Sequence, residues 1–425
     1  MSEWKNLRIK DIAKCIGSGA TPKSTNMQYY ENGEFSWINT GDLTNDVVYK
    51  CSQCITQAAL NDFPNLRFYP KDTILVAMYG ATIGKVGLLN MKSTVNQACC
   101  AIVPNYNVIN PKFGLYYLVN YKDRLVGSSC GSTQPNVSQD KVQRVPIVLP
   151  SIADQSRIVS YLDTKTSTID SRISVLEQKR DAYGRLKKSI INDAVTHGLN
   201  PKVKMKDSGV DWIGEIPEHW ERRRLKDFAI LYGGLTGKSG DDFRCDDEEA
   251  TKPFIPFTNI LNNIRIDFCN FKRVVMSDDE IQNQVKENDL LFLMSSEDYE
   301  SIAKSSVVVG NPGEVYLNSF CRGLRIKDKE VLPEFVNYQL QASKYRDALR
   351  FEARGFTRIN IMGGKVASMF VSLPPCQEQQ EIVVYLDDKL SKVDYAITLL
   401  NAQIEKFKLL KRSLINEVIT GHRAV

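Results

Sequence analysis

Leu149-Pro150-Ser151-Ile152-Ala153-Asp154-Gln155-Ser156-Arg157-Ile158-Val159-Ser160-Tyr161-Leu162-Asp163 returns as Leu373-Pro374-Pro375-Cys376-Gln377-Glu378-Gln379-Gln380-Glu381-Ile382-Val383-Val384-Tyr385-Leu386-Asp387. The offset, 373 minus 149, is 224 residues, and it holds without a gap to Thr196 and Thr420. A period of that length is far beyond a solenoid unit. It marks a duplicated domain with its connecting element. The molecule is therefore expected to be pseudo-twofold, with two similar working surfaces.

The repeated blocks are helical. Ile382, Leu386, Val393, Ile397, Leu400, Ile404, Phe407, Leu414 and Val418 fall on a 3-4 spacing, answered by Ile158, Leu162, Ile169, Ile173, Leu176, Tyr183, Leu186 and Ile190. Such a stripe, with charged residues between its members, is the seam of a two-stranded coiled coil. Leu-Pro before each block sets an extended approach, and Ser151 or Asp154 can cap the first turn. Gly198 and Gly421 supply the stop, and His197 and His422 suit a helix C-terminus rather than a metal. A helix from about 152 to 196 would be ~65 Å long at ~1.5 Å per residue. Neither stripe can be buried alone, so the two helices are expected to pair antiparallel.

The stretches before each block are also related. Trp4…Arg8-Ile9-Lys10-Asp11-Ile12-Ala13 matches Trp220…Arg224-Leu225-Lys226-Asp227-Phe228-Ala229, and Trp37–Leu43 matches Phe254–Ile260. Gly131-Ser132-Thr133-Gln134-Pro135-Asn136-Val137 matches Gly355-Phe356-Thr357-Arg358-Ile359-Asn360-Ile361. Between these anchors the copies diverge, Tyr79–Lys85 facing the unrelated Ser295–Glu300. Short apolar runs predict strands at Phe35–Ile38, Thr73–Met78, Lys85–Leu89, Ala98–Val103, Leu290–Met294 and Ser305–Val309, with helices at Lys112–Arg124 and Pro333–Arg350. The expected fold class is mixed α+β: two globular domains, 1–148 and 200–372, separated by a long antiparallel coiled coil of helical regions 149–199 and 373–425. Residues 200–220, rich in Lys, Gly and Pro, form the linker into the second domain.

Composition limits the function classes. The 425 residues are 43% apolar and 25% charged, with a net charge of +5, a mild pointer to a polyanion. No apolar run approaches a membrane span, and the N-terminus lacks a signal peptide's apolar core. The ten cysteines are scattered or adjacent rather than framework-spaced and read as reduced thiols, so a cytoplasmic location is expected. Basic runs occur at Lys202/Lys204/Lys206, Arg222–Arg224 with Lys226, Lys187-Lys188 and Lys411-Arg412, some of them candidates for phosphate. The acidic run Asp241-Asp242…Asp246–Glu249 is expected in an exposed loop.

Catalytic motifs fail on spacing. Gly80-Ala81-Thr82-Ile83-Gly84-Lys85 and Gly233-Gly234-Leu235-Thr236-Gly237-Lys238-Ser239 are each one residue short of a phosphate-binding P-loop. Asn110-Pro111-Lys112-Phe113 lacks the second proline of an amino-methyltransferase signature and suits a helix start. Cys51-Ser52-Gln53-Cys54 has neither a second pair nor a nearby His, so zinc is not expected. Three histidines leave little material for acid–base chemistry. No catalytic or metal-binding constellation emerges.

These features resemble the specificity subunit of type I restriction–modification enzymes. The resemblance rests on the duplicated Leu-Pro-x-x-x-(Asp/Glu)-Gln…Ile…Tyr-Leu-Asp block and on Thr196-His197-Gly198-Leu199 through Trp212-Ile213-Gly214-Glu215-Ile216-Pro217-Glu218-His219-Trp220. Ala81–Gly87 and Thr94–Ala98 are similar to segments of many target-recognition domains, and the second domain lacks an Ala-Thr-Ile-Gly-Lys counterpart. The match covers essentially the whole chain. It implies a non-catalytic subunit that reads bipartite double-stranded DNA, one half-site per target-recognition domain. Its helices would act as a ruler and dock two methyltransferase subunits, which bring AdoMet and modify adenine; restriction subunits, translocating nucleases using ATP and Mg, then join. The chain itself would hold no cofactor and meet no membrane. Two other classes are a coiled-coil adaptor that binds only protein and a stand-alone DNA methyltransferase or nuclease.

On that basis the expected DNA contacts in the first domain are Thr21, Lys23, Asn39, Thr40, Tyr79, Thr82, Lys85, Asn96, Gln97, Thr133, Gln134 and Asn136. Thr258, Asn259, Thr357, Arg358 and Asn360 are the matching positions in the second. Asn, Gln and Arg can bond base edges in pairs, while Lys and Thr serve phosphates; Asn and Thr beside Gly also simply make turns. Off-seam residues that repeat mark the expected partner surface: Gln155/Gln379, Tyr161/Tyr385, Ser167/Ser391 and Asn192/Asn416.

Overall fold

The computed structural model describes residues 4–127, 136–238, 240–243, 251–277 and 279–425. They form two units, Met1–Glu177 with Ala402–Val425 and Gln178–Asn401. The repeat seen in the sequence is therefore not the folding unit. Each globule takes in part of a helix that belongs to the other repeat.

In the first unit the central sheet has the order Ala13–Gly17, Cys99–Pro104, Ile74–Ala77, Val86–Leu89, Asp46–Val48. All neighbours are antiparallel except the last pair. The apolar run Ile74–Ala77 is continuous because both faces of the sheet are covered. Ile74 and Val76 pack with the helix Pro111–Gly127, while Leu75 and Ala77 face a second cluster containing Ile38 and Leu43. Gly114 brings that helix onto the sheet, since a Cβ there would lie 2.6 Å from Ile74 Cδ1. A second sheet aligns Gln53–Ile55, Phe35–Ile38 and Thr94–Val95.

The second unit repeats the plan with the order Ala229–Gly233, Cys321–Ile326, Asp289–Leu293, Ser305–Val307. Leu290 and Phe292 enter one core, Leu291 and Leu293 the other. The expected helix Pro333–Arg350 is two helices, Pro333–Gln341 and Ser343–Glu352. It breaks at Ala342, in extended backbone, where the Asn192 carboxamide accepts the Ser343 N–H at 2.7 Å.

The two long helices run Ile152–His197 and Cys376–Ile419. Ser151 Oγ accepts the Asp154 N–H and donates to its carboxylate, so both candidate caps act together. Gly198 and Gly421 stop the helices at φ 73° and 78°. In the first unit Ile158, Leu162 and Ile169 pack with Leu414, Ile415 and Val418, and Asp170 pairs with Lys411 at 2.7 Å. In the second unit Ile191, Ala194 and Val195 pack with Ile382, Leu386 and Leu390, and Lys187 pairs with Asp394 at 2.7 Å. The helices are antiparallel in both. Gly421 lies against the Trp4 ring and Gly198 against the Trp220 ring, so each repeat's tryptophan receives the other repeat's helix end. Leu186, expected in the seam, is 46% exposed, and no residue from 170 to 190 of the first helix is buried.

Gln155 and Gln379, chosen from the sequence as partner contacts, are instead internal. Gln155 is 0% exposed; its Nε2 donates to the Val108 and Pro150 carbonyls at 3.1 and 3.0 Å, and its Oε1 accepts the Asn110 N–H at 2.8 Å. Gln379 makes the same three bonds, to the Glu330 and Pro374 carbonyls and from the Leu332 N–H. Asp163 and Asp387 form a second repeated clamp. Asp163 accepts from Tyr116 and Lys112, Asp387 from Tyr338 and Arg265. Burial, with the facing carboxylate adding to it, pushes both phenols above their ordinary value.

Replacing either glutamine by leucine keeps the volume but orphans an N–H and two carbonyls. Gln155→Leu and Gln379→Leu should each cost roughly 1–3 kcal/mol in urea unfolding. The exposed neighbour variant Gln380→Ala should stay within about 0.5 kcal/mol of the parent.

Candidate nucleic-acid interface

The loops that differ between the repeats hang on one shared set of backbone hydrogen bonds. In the first unit the Asn96 N–H donates to the Ile38 carbonyl, the Met78 N–H to Ala98, and the Val137 N–H to Met78. In the second the Asn318 N–H donates to Ile255, the Met294 N–H to Phe320, and the Ile361 N–H to Met294. The bridges Tyr79↔Asn136 and Ser295↔Asn360 complete the correspondence. Asn96 Oδ1 accepts the Ala98 N–H, as Asn318 Oδ1 accepts that of Phe320. The frame is constant, the Asn96/Asn318 pair included, while Tyr79 and Ala98 exchange with Ser295 and Phe320.

On the first unit this frame gathers most of the residues chosen from sequence at one rim. Asn96 Nδ2 donates to Asn39 Oδ1 at 3.3 Å, which joins the Asn39–Thr40 turn to the Asn96–Gln97 turn. Asp42 holds that turn, accepting the Asn39 N–H at 2.8 Å and the Ser52 N–H at 3.0 Å. The hairpin carrying Thr82 and Lys85 is closed by Ala77 and Lys85 backbone bonds, with Gly80 and Gly84 at positive φ. Its glycines make a tight turn, which is why they mimic a phosphate loop in sequence. Tyr79 and Gln97 are exposed beside it, and burial raises the Tyr79 phenol against an opposing hydrogen bond from Gln97. Thr21 and Lys23 lie on an exposed segment anchored by Trp37 Nε1 donating to the Ala20 carbonyl and Tyr69 donating to the Ser18 carbonyl. Asn136 is exposed at the Tyr79 bridge. Thr133 and Gln134 lie outside the described residues, as do Asp246–Glu249 of the acidic run.

On the second unit Thr357, Arg358 and Asn360 are exposed on a loop closed by reciprocal backbone bonds between Arg354 and Asn360. Arg358 Nε donates to Ser295 Oγ at 2.9 Å, and its guanidinium lies 4.1 Å from the Phe320 ring centroid. Asn259 does not belong with them. It is 0% exposed, its Nδ2 donates to the Asp267 and Asn270 carbonyls, and its Oδ1 accepts from Asp267 and Asn263. It fixes its own loop, and only the half-buried Thr258 remains near the surface. Ser295, Asn318 and Phe320 were missed from the sequence. The offset near this segment is 222, Asn318 answering Asn96, and aligning it would have found them.

The arginines of the run 222–224, Lys187, Lys411 and Arg412 are committed within their units, while Lys202, Lys204 and Lys206 are exposed. Arg222 Nη1 donates to the Ser208 and Gly209 carbonyls and its guanidinium covers Phe370, while Arg223 pairs with Asp328 at 2.7 Å. Lys411 is bound to Asp170 and Arg412 to Asp123. Lys238 of the second glycine-rich segment is paired with Glu280. Cys51 and Cys54 are free thiols 3.6 Å apart. Among the described residues no group of three or more His, Cys, Asp or Glu could hold a metal, and no helix is long and apolar enough to cross a membrane.

Of the helix residues chosen as partner contacts, Ser167 and Ser391 are exposed, Tyr161 is half-buried and Tyr385 is open. Asn192 and Asn416 each bond within their own unit, Asn192 with Ser343 and Asn416 with Asn120.

The family described as type I restriction modification DNA specificity domain matches residues 1–178 and 217–408. The MjaIX specificity subunit of Methanocaldococcus jannaschii is 28% identical over 301 residues, 69% of this chain and 67% of that one. The HsdS subunit of Thermoanaerobacter tengcongensis has a similar fold, with TM-score 0.51 at 15% identity over 98% of this chain and 97% of that one. A chain of a solved type I R-M system assembly superposes with TM-score 0.73 at 15% identity, covering 98% of this chain and 97% of its own. Two readers built on one frame, a duplicated helical block and a family match over both repeats converge: the chain belongs to the type I restriction–modification DNA specificity family and is a specificity subunit.

Proposed function

We propose that this subunit reads a bipartite double-stranded DNA site, one half-site per unit, and carries methyltransferase subunits on its long helices without catalysing a reaction itself. The observation that carries this reading is the shared backbone frame with exchanged side chains. One frame presents Tyr79, Asn96, Gln97 and Asn136; the other presents Ser295, Arg358 and Asn360. Asn, Gln and Arg offer the paired donors and acceptors that base edges require. AdoMet would arrive with two methyltransferase partners that modify adenine, and ATP and Mg with the restriction subunits. The work would take place in the cytoplasm.

The helices support the partner half of the proposal. Val175, Leu409 and Leu410 are 62%, 64% and 53% exposed, outside the seam. Aliphatic side chains left open on a helix pair are what a further helix covers. At the 224-residue offset Val175 and Leu410 answer Leu399 and Leu186, each 46% exposed, and Leu409 answers Arg185, so the duplicated block offers a second, similar docking surface.

Arg358→Ala should weaken binding to a methylation-mapped duplex by roughly 1–3 kcal/mol and relax preference at one position of one half-site. Unchanged affinity and unchanged preference in a gel-shift competition would overturn the assignment. Native mass spectrometry with saturating methyltransferase should show two copies per chain. Leu409→Glu combined with Leu410→Glu should lose at least one copy while the urea midpoint holds. Calorimetric titration should show AdoMet binding only when the methyltransferase is present, and binding by the isolated chain would contradict a non-catalytic role.

A further inference from the structure

Phe356 is 98% exposed, at the apex of the loop that presents Arg358 and Asn360. The first repeat has Ser132 at the matching position, so the apolar apex is specific to the second reader. The loop around it is built to hold its shape. Arg354 and Asn360 close it by reciprocal backbone bonds, and Tyr299 donates to the Gly355 carbonyl at 3.2 Å. Gly355 sits at φ 139°, where a Cβ would lie 2.0 Å from the Arg358 carbonyl oxygen, so only glycine allows the turn. Asn360 Nδ2 donates to that same carbonyl at 3.2 Å. An aromatic ring held in water on a closed loop is placed for something that will cover it.

The neighbours say what. Arg354 and Arg358 lie two residues to either side of Phe356 on its loop, Arg354 held by the Phe351 and Ala353 carbonyls, and exposed Arg322 runs beside Gly363. Arg358 is already ordered by Ser295 and by the Phe320 ring. Three carboxylates, Glu297, Asp298 and Glu300, stand in the neighbouring turn; Asp298 is bound by the Ser301 N–H and hydroxyl, and Glu300 pairs with Arg350. An open aromatic side chain on a loop that carries two arginines, at the rim that presents Arg358 and Asn360, suits a stack of bases edged by phosphates better than an apolar protein surface. Apolar side chains wedged between base steps are a recognised way of reading DNA through its deformability.

We propose that Phe356 is an apolar wedge that enters the base stack of the half-site read by the second unit. The proposal rests on the DNA-reading function above. The wedge makes the second reader sensitive to how easily a base step opens, at a position where no base edge need be bonded. The first reader, with serine at this position, works without such a wedge.

The test uses the full chain with its methyltransferase partner and a duplex bearing the methylation-mapped site. 2-Aminopurine replaces adenines within and beside both half-sites, one at a time; the methylated adenine is left alone, since a methyltransferase extrudes its target base. The parent complex should raise the fluorescence at one step, in one half-site only. Phe356→Ala should abolish that rise and weaken binding roughly tenfold, while Phe356→Trp keeps both. Equal fluorescence for the parent and Phe356→Ala would overturn the wedge, as would Phe356→Ala weakening methyltransferase binding without DNA. A parent complex with no site-selective binding at all would instead overturn the reading function.

Discussion

Burial of the two helical stripes is the constraint on which the rest of the structure depends. An apolar row on a helix this long cannot be covered by its own repeat, and each buried Ile or Leu contributes about 1.5–3 kcal/mol. The chain meets this by antiparallel exchange. Leu414, Ile415 and Val418 of the second helix complete the core of the first unit, while Ile191, Ala194 and Val195 of the first helix complete that of the second. The last residues of each helix reach a tryptophan of the other repeat, with glycine at the contact because a side chain would press into the ring at Trp4. Each unit's stability therefore depends on residues far away in sequence.

Polar clamps set where the helices begin. Gln155 and Gln379 saturate buried backbone groups at the junction of helix, strand end and neighbouring helix start. Asp163 and Asp387, each about two turns further on, tie the helix to Tyr116 and Tyr338. Buried amides and carboxylates of this kind are useful because their geometry is exacting: a shifted helix would leave them unpaired at a cost of a few kcal/mol. They fix the register in which each long helix leaves its globule.

With the frame fixed, the reading rims are free to vary. Backbone N–H and C=O groups hold the rim in both units, so the side chains at Tyr79/Ser295 and Ala98/Phe320 carry no structural duty in common. Substitution there changes what is presented without changing how it is held. This separation of support from presentation lets one architecture present two different rims.

The sequence by itself determined the duplication, the antiparallel helices with their caps and stops, the mixed α+β class and the family. Those follow from local chemistry: 3-4 spacing, Ser151 and Asp154 at a helix start, glycine at its end, and apolar runs bounded by turns. Only the tertiary structure decided that Gln155, Gln379 and Asn259 point inward, because a buried amide and an exposed one are written with the same letters. It alone showed Leu186 left open, the helix broken at Ala342 by a carboxamide 150 residues away in sequence, and Arg222 and Arg223 consumed by internal partners. Repetition marks a residue as needed twice; which face needs it depends on long-range contacts that no local pattern encodes.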